Sequence, residues 1–383
     1  MGENLDVAAT DFEGIRKVVL DKHIDLVVVG PEQPLVAGIV DHFREDLVLN
    51  RVPVIGPERK GALLEGSKAY ANRFMEKYGI PTARFRSFTA EQHEEAVEYL
   101  NELSAPYVLK ADGLAAGKGV VIAGDMEEAK ETLGSFFEGR FGEASKTVVI
   151  EEFLEGRELS AFILTDGQTY KMFPTAKDYK RIGEGDTGPN TGGMGSLSPV
   201  TWAGDDFIRK IRDQVIEPTM RGIRKERIDY RGFLYFGLMK VGDQPYVIEY
   251  NVRMGDPEAQ VVIPRMESDL LEAMDAVAHQ RLDAYELEVT GSVAAAVILA
   301  SKGYPGKYAK GKQISIPEPV EGVNIFYAGT KRQDNGLVTA GGRVMAVTAL
   351  AGDFKKALST VYSNMEQIHF EGKYYRKDIG YDL

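Results

Sequence analysis

The sequence predicts a multidomain α/β (α+β) chain, and three observations carry that reading. Two short β-branched runs, 25–29 (DLVVV) and 52–55, each close in Gly-Pro with a helical pattern between them. Strand and helix patterns then alternate from 82 to 165. The length of 383 residues, at roughly 150 residues per domain, calls for two to three domains.

Residues 11–22 read as a helix, followed by the 25–29 strand, a helix over 34–45 and the 52–55 strand. Apolar strands with loops at their carboxyl ends suit a buried parallel sheet. Two strands make only part of a doubly wound sheet, so either further strands come later or the start is missing. A long amphipathic helix spans 59–78 and stops at Gly79-Ile80-Pro81. There follow strands at 84–88, 107–110, 119–123 and 147–153, with helices at 90–103 and 125–138. Residues 177–199, dense in Gly, Asp, Thr, Asn and Pro, read as a long loop, and such loops in compact domains are usually functional. A helix covers 204–226. Strands at 233–241 and 245–251 flank the Gly242-Asp243 turn, and 267–279 is helical. Short strands at 293–300, 323–328 and 342–347 precede a helix at 352–367, which makes a small C-terminal α+β unit. The expected domains are 1–60, 61–290 (with a flap over about 82–155) and 291–383.

Composition removes several functions. Forty-six basic against 58 acidic residues give a net charge of -12, against the basic balance expected of a nucleic-acid binder. There are no cysteines, so a disulfide framework, a thiolate nucleophile and Cys-ligated metals are excluded. His23, His42, His93, His279 and His369 do not stand at ligand spacing, and no Gly-x-Ser-x-Gly elbow occurs. Residues 1–10 lack the basic start and apolar stretch of a signal peptide. The longest apolar run, 293–300, is far short of the roughly 20 residues needed to span a bilayer. The expectation is a soluble, cytoplasmic protein without nucleic-acid or membrane partners.

Four segments carry chemistry. In YVLKADGLAAGKGVVI (107–122), a strand delivers Lys110, and Gly113, Gly117 and Gly119 surround Lys118 before another strand begins. Glycines let backbone N–H groups approach phosphate oxygens and lysines add point charge. The alternative is a Gly-rich hairpin with solvated lysines. In VVIEEFLEGRE (148–158), an apolar strand runs into Glu151 and Glu152. Its backbone could meet an adenine edge and a later carboxylate a ribose, or it is a strand end with solvated charges. In YVIEYNVRMGDPE (246–258), Glu249, Asn251 and Arg253 are spaced by two and share one strand face. A carboxylate and an amide oxygen are hard ligands suited to Mg²⁺ shared with phosphates, and Arg253 suits a carboxylate or phosphoryl group. The competing reading is an ion-paired surface strand. In DTGPNTGGMG (186–195), backbone N–H groups could cradle an anion, or the loop is merely flexible.

In this order, the four segments resemble the ATP-grasp fold and, more closely, the phosphoribosylamine–glycine ligase family. VVVGPEQPLVAGIVD, VLKADGLAAGKGVVIA, GDTGPNTGGMGSLSP, VIEYNVRMGDPE, YAGT, GGRV and the closing YRKDIG carry the resemblance over essentially the whole chain. It implies an ATP-dependent ligase of purine biosynthesis, a monomer using ATP and Mg²⁺ or Mn²⁺, with glycine and 5-phosphoribosylamine as substrates. The reaction implied passes through glycyl phosphate. Lys68, Lys110 and Lys118 match lysines at the nucleotide phosphates, under a flap with Gly113, Gly117 and Gly119. Glu151, Glu152, Phe153 and Leu154 match the adenine hinge, and Glu158 the ribose carboxylate. Glu249 and Asn251 match the metal ligands. Arg253, Lys118 and Asp256 are the expected catalytic residues. Asp178, Lys180, Asp186, Asn190, Thr191, Gly192, Gly193 and Met194, with Arg253 and Asp256, match the glycine and acyl phosphate region. Gly30, Pro31 and Glu32 match part of the phosphoribosylamine pocket. Biotin-carboxylase-like members carry a further metal-binding Glu on the preceding strand, where residues 233–240 have no carboxylate.

The family pattern normally opens with a strand and a GxGGREH turn, then a PGNxGT segment, and roughly its first 40 residues have no counterpart here. The expectation is that ATP, metal and glycine sites survive while phosphoribosylamine binding is weakened and a sheet edge is exposed.

Overall fold

The computed structural model describes residues 2–115, 119–316 and 322–383. Eleven strands form one large sheet. Its path runs Val27–Val28, Val54–Pro57, Tyr230–Val241, Arg157–Thr165, Tyr170–Asp178, Gly195–Ser198, Val293–Ser301, Arg343–Ala351 and Val323–Tyr327. Gln244–Asn251 pairs with Tyr230–Val241, and Lys373–Tyr374 with Val293–Ser301. The first two strands are parallel and the rest of this path is antiparallel. A separate antiparallel sheet of four strands has the order Phe85–Thr89, Thr147–Glu152, Tyr107–Ala111, Val120–Ala123. Helices His93–Glu102 and Met126–Phe137 bury Tyr99, Leu100, Leu133 and Phe136 against it. Among the described residues, no helix is long and apolar enough to cross a membrane.

Several elements differ from expectation for local reasons. The 25–29 run contributes only Val27–Val28 to the sheet, since its sole ladder partner is the short Val54–Pro57. The 34–45 helix is two, Glu32–Ala37 and Ile39–Glu45, separated by Gly38 in the left-handed region (φ 91°). The 59–78 helix is likewise two, Arg59–Gly66 and Lys68–Tyr78. Extended Ser67 between them caps the second through Tyr70 N–H. This break decides where Lys68 stands, at the first turn of a helix.

The 177–199 segment is not a plain loop. It holds the two-stranded ladder Arg181–Gly183 with Thr187–Asn190 and the fully buried strand Gly195–Ser198. Small residues hid that strand. A Cβ at Gly195 would stand 2.8 Å from the Ala296 carbonyl oxygen and 2.9 Å from Ile379, so only glycine admits the neighbouring strand there.

Candidate functional site

The four-stranded sheet meets the large sheet along strand Gln244–Asn251. Val247 N–H donates to Pro81 O (2.8 Å) and Thr82 Oγ1 to Val247 O (2.8 Å). From the small sheet Lys110, 5% exposed, reaches Ile248 O at 3.1 Å and Glu151 at 2.7 Å. The second Glu151 oxygen accepts from Asn72 at 2.9 Å. Glu151 is therefore a buried partner of Lys110 and Asn72, both of its carboxylate oxygens engaged by protein. Glu152 accepts from Arg84 N–H, and Phe153 is exposed. Lys68 Nζ lies 3.3 Å from Gly113 O, and burial lowers its pKa, aided by Lys110 and opposed by Glu249. Asp112, which sequence reasoning passed over, docks the base of the flap. Its carboxylate accepts from Ala69 N–H (2.7 Å) and Ser67 Oγ (3.0 Å) at the helix start. Gly113 packs on Ala144 so closely that a Cβ would lie 2.8 Å away. Gly119 accepts from Ala111 N–H at 2.7 Å. Gly117 and Lys118 lie outside the described residues.

Glu249 and Asn251 stand on strand Gln244–Asn251, while Arg253 lies two residues past its end and not on the strand face expected for it. Arg253 is gripped from three elements: Nε donates to Glu32 (3.1 Å), Nη2 to Glu65 (2.9 Å) and Asn251 Oδ1 (3.3 Å), and Nη1 to Met254 O (3.0 Å). Glu32, from the Gly30-Pro31-Glu32 turn, thus reaches Arg253 just past the end of strand Gln244–Asn251; Gly30 and Pro31 are exposed beside it. Glu65 was not anticipated, because a lone Glu near a helix end gives no sequence signal. It is 9% exposed and its other oxygen accepts from Val252 N–H (2.8 Å). Burial pushes its pKa up to about 7, with Arg253 pulling the other way.

Behind Glu249 a narrow cavity is lined by Glu158, Ser160, Asp178, Lys180 and Tyr235. Lys180 pairs with Glu158 at 2.9 Å and holds that carboxyl below its ordinary value. Glu158 and Asp178 keep Lys180 well above its own, against desolvation. Burial lifts Asp178 to about 6. Glu258, bonded to Ser160 Oγ at 3.1 Å, is lifted to about 8 by burial and by Asp178.

The 186–195 loop is bound tightly to protein. Thr191 Oγ1 donates to Lys180 O (2.8 Å) and accepts from Gly193 N–H (3.0 Å), while Met194 is fully buried. Gly193, at φ 105°, packs against Pro257, which a Cβ would approach to 2.3 Å. Arg343, from the GGRV segment, joins the carbonyls of Gly192 and Asp256 and pairs with the Asp256 carboxylate. Asp256 is thus brought to the loop, and Asp186 is held by Arg376 and Tyr381. Asn190 lies exposed on the Thr187–Asn190 strand, and Leu154 is half-buried beyond the hinge.

Two sheets closing on one strand, with Lys110 from one, Lys68 from a helix start beside it and a carboxylate–amide pair from the other, mark an enzyme of the ATP-grasp class. Residues 66–259 match the phosphoribosylglycinamide synthetase ATP-grasp domain, 1–65 its N domain and 294–382 its C domain. The phosphoribosylamine–glycine ligase of Chlorobaculum tepidum is 48% identical over 98% of this chain and 88% of its own. The crystal structure of the Thermotoga maritima phosphoribosylamine–glycine ligase superposes with a TM-score of 0.78 at 44% identity, covering 85% of this chain and 81% of that one. The biotin carboxylase domain of Hydrogenobacter thermophilus 2-oxoglutarate carboxylase, at 16% identity and TM-score 0.74 over 98% of this chain and 81% of its own, shares the fold alone. The chain belongs to the phosphoribosylamine–glycine ligase family.

Proposed function

We propose that this enzyme uses ATP to join glycine to 5-phosphoribosylamine, giving glycinamide ribonucleotide, ADP and phosphate in purine biosynthesis. The observation that carries the reading is strand Gln244–Asn251, beside which Lys68, Lys110, Lys180, Asp178, Arg253 and Glu249 converge. A glycine carboxylate is a poor electrophile. Its oxygen attacks the γ-phosphorus of ATP, releasing ADP and forming glycyl phosphate. The amine nitrogen of phosphoribosylamine then attacks the glycyl carbon, phosphate leaves with a glycine oxygen, and the nitrogen gives up a proton. No protein nucleophile is required.

Phosphoryl transfer needs mainly positioning and neutralised charge. Lys68 and Lys110 stand on the nucleotide side, with Lys110 oriented by its buried ion pair with Glu151. Arg253 and the 186–195 loop border the reacting carboxylate, and Glu32 leads from Arg253 toward the amine. Among the described residues, no group of three or more His, Cys, Asp or Glu is placed to hold a metal. Glu249 and Asn251 are two hard oxygen donors, which fits Mg²⁺ or Mn²⁺ completed by nucleotide phosphates. Such an ion supplies charge neutralisation at the transferring phosphoryl group. The three-domain division, a monomeric state and a cytoplasmic location belong to the same reading.

A carboxylase is disfavoured by one feature. The residue paired with Glu249 across the ladder is Gly237, where a Cβ would lie 2.9 Å from Glu249 Cγ, so a second metal-binding Glu has no room there. The test is ADP release from Mg-ATP with glycine alone, phosphoribosylamine alone and both. Release requiring both supports the ligase; release indifferent to glycine overturns it.

A further inference from the structure

The C-terminal segment 374–382 threads the substrate-side loop at almost every residue. Arg376 is fully buried, the largest side chain so enclosed. It grips Asp378 through two bonds of 2.8 Å, donates to Asp186 at 2.6 Å and Arg181 O at 3.1 Å, and lies 5.4 Å from the Tyr179 ring centroid. Asp378 in turn accepts from Gly185 N–H at 2.7 Å. Tyr381 donates to the other Asp186 oxygen at 2.8 Å and Tyr374 to Ile182 O at 2.7 Å. Asp382 takes Tyr179 Oη at 2.7 Å and pairs with Lys177.

Residues 191–194 are held by Lys180, Arg343 and Pro257, whereas 184–190 are tied chiefly by their own short ladder and by these C-terminal groups. Residues 184–190 are exposed and have little apolar surface to bury. Gly185 and Asp186 both sit at positive φ (62° and 54°), a conformation that asparagine-like residues tolerate but do not favour. A loop of that composition would sample many shapes if released, and ordering it on substrate arrival would weaken binding. Both oxygens of Asp186 are engaged by the strap, so this carboxylate acts on the loop and not on a ligand.

We infer that Arg376, with Tyr381, is a positioning residue: the C-terminal strap fixes residues 181–193 in the shape that receives glycine. This rests on the proposed ligase reading only for the identity of the substrate. The strap touches the loop and none of the residues placed at the nucleotide phosphates, so it acts on glycine affinity and spares ATP.

The experiment uses the full chain with Arg376→Met, Tyr381→Phe, Asp186→Asn and the Arg376→Met/Asp186→Asn pair. Glycine and ATP are varied separately while ADP release is followed. Backbone amide exchange of residues 181–190 is read in parallel. The expected result is a glycine KM at least tenfold higher in Arg376→Met and about threefold higher in Tyr381→Phe, with ATP KM within twofold. Adding Asp186→Asn to Arg376→Met should cost less than the two single changes summed, since the contact they share cannot be lost twice. Amide protection at Ile182 and Gly185 should fall. Unchanged protection overturns the inference whatever the activity, and so does an ATP KM rising in step with that of glycine. Should Arg376→Met not fold, Tyr381→Phe and Asp186→Asn, which alter only exposed or half-exposed groups, decide it. Wild-type chain without glycine-dependent release would sink the ligase reading, while the amide data would still judge the strap.

Discussion

Replacing Glu65 by Gln should flatten the pH dependence of stability. The buried carboxyl titrates at about 7 instead of 4.5, so the folded chain holds its proton more tightly than the unfolded chain. Between those values the folded state binds more protons, and stability falls as pH rises. The full interval, at about 1.36 kcal/mol per pH unit, is about 3 kcal/mol, nearly all of it imposed between pH 5 and pH 8. Gln keeps the volume and one acceptor for Val252 N–H but cannot ionise. Urea unfolding can be followed by Trp202, the only tryptophan, which packs on the core containing Leu64 and Val252 beside Glu65. The stability gap between variant and wild type should shift by about 2.5 kcal/mol in the variant's favour from pH 5 to pH 8. Activity should move the other way, because the neutral amide holds Arg253 less firmly. A gap that stays constant over that range would refute the account of Glu65.

Three more outcomes follow from the same contacts. Lys110→Met strands Glu151, 4% exposed, with Asn72 as its remaining hydrogen-bonding side chain among the described residues; the loss should be about 3 kcal/mol in urea unfolding, with a raised ATP KM. Arg343→Ala releases Gly192 and Asp256 together, so the glycine KM should rise about tenfold while nucleotide titration, read by fluorescence, stays unchanged. Asn251→Ala removes one of the two proposed cation donors, and the Mg²⁺ concentration giving half-maximal ADP release should rise at least tenfold, on the order of a lost metal-site contact.

Legibility in the sequence followed period and composition. The spacing of Glu249 and Asn251 was readable because both stand on one strand, and Lys110 because a strand delivers it; Arg253 lies past the strand end, where alternation no longer fixes a face. The break at Ser67 was not, since both halves keep one amphipathic pattern. Gly195–Ser198 looked like loop because its identity as a strand comes from the close approach of Ala296 and Ile379, not from its own propensity. Glu65, Asp112 and Arg343 act across long sequence separations, and no local pattern marks a residue whose partner lies 43 to 188 positions away; Glu65 and Arg253 sit at the far end of that range. The interval between Arg376 and Asp186, 190 residues, hid the strap in the same way, although YRKDIG stood out as a motif.

The most direct measurement follows oxygen. Glycine labelled with ¹⁸O in its carboxylate is turned over with Mg-ATP and phosphoribosylamine, and the inorganic phosphate is analysed by mass. If the carboxylate attacks the γ-phosphorus before the amine arrives, each phosphate released carries one labelled oxygen. Phosphate free of label, formed while glycine is consumed, would contradict activation through glycyl phosphate and with it the role given to the Lys68, Lys110, Glu249 and Arg253 site.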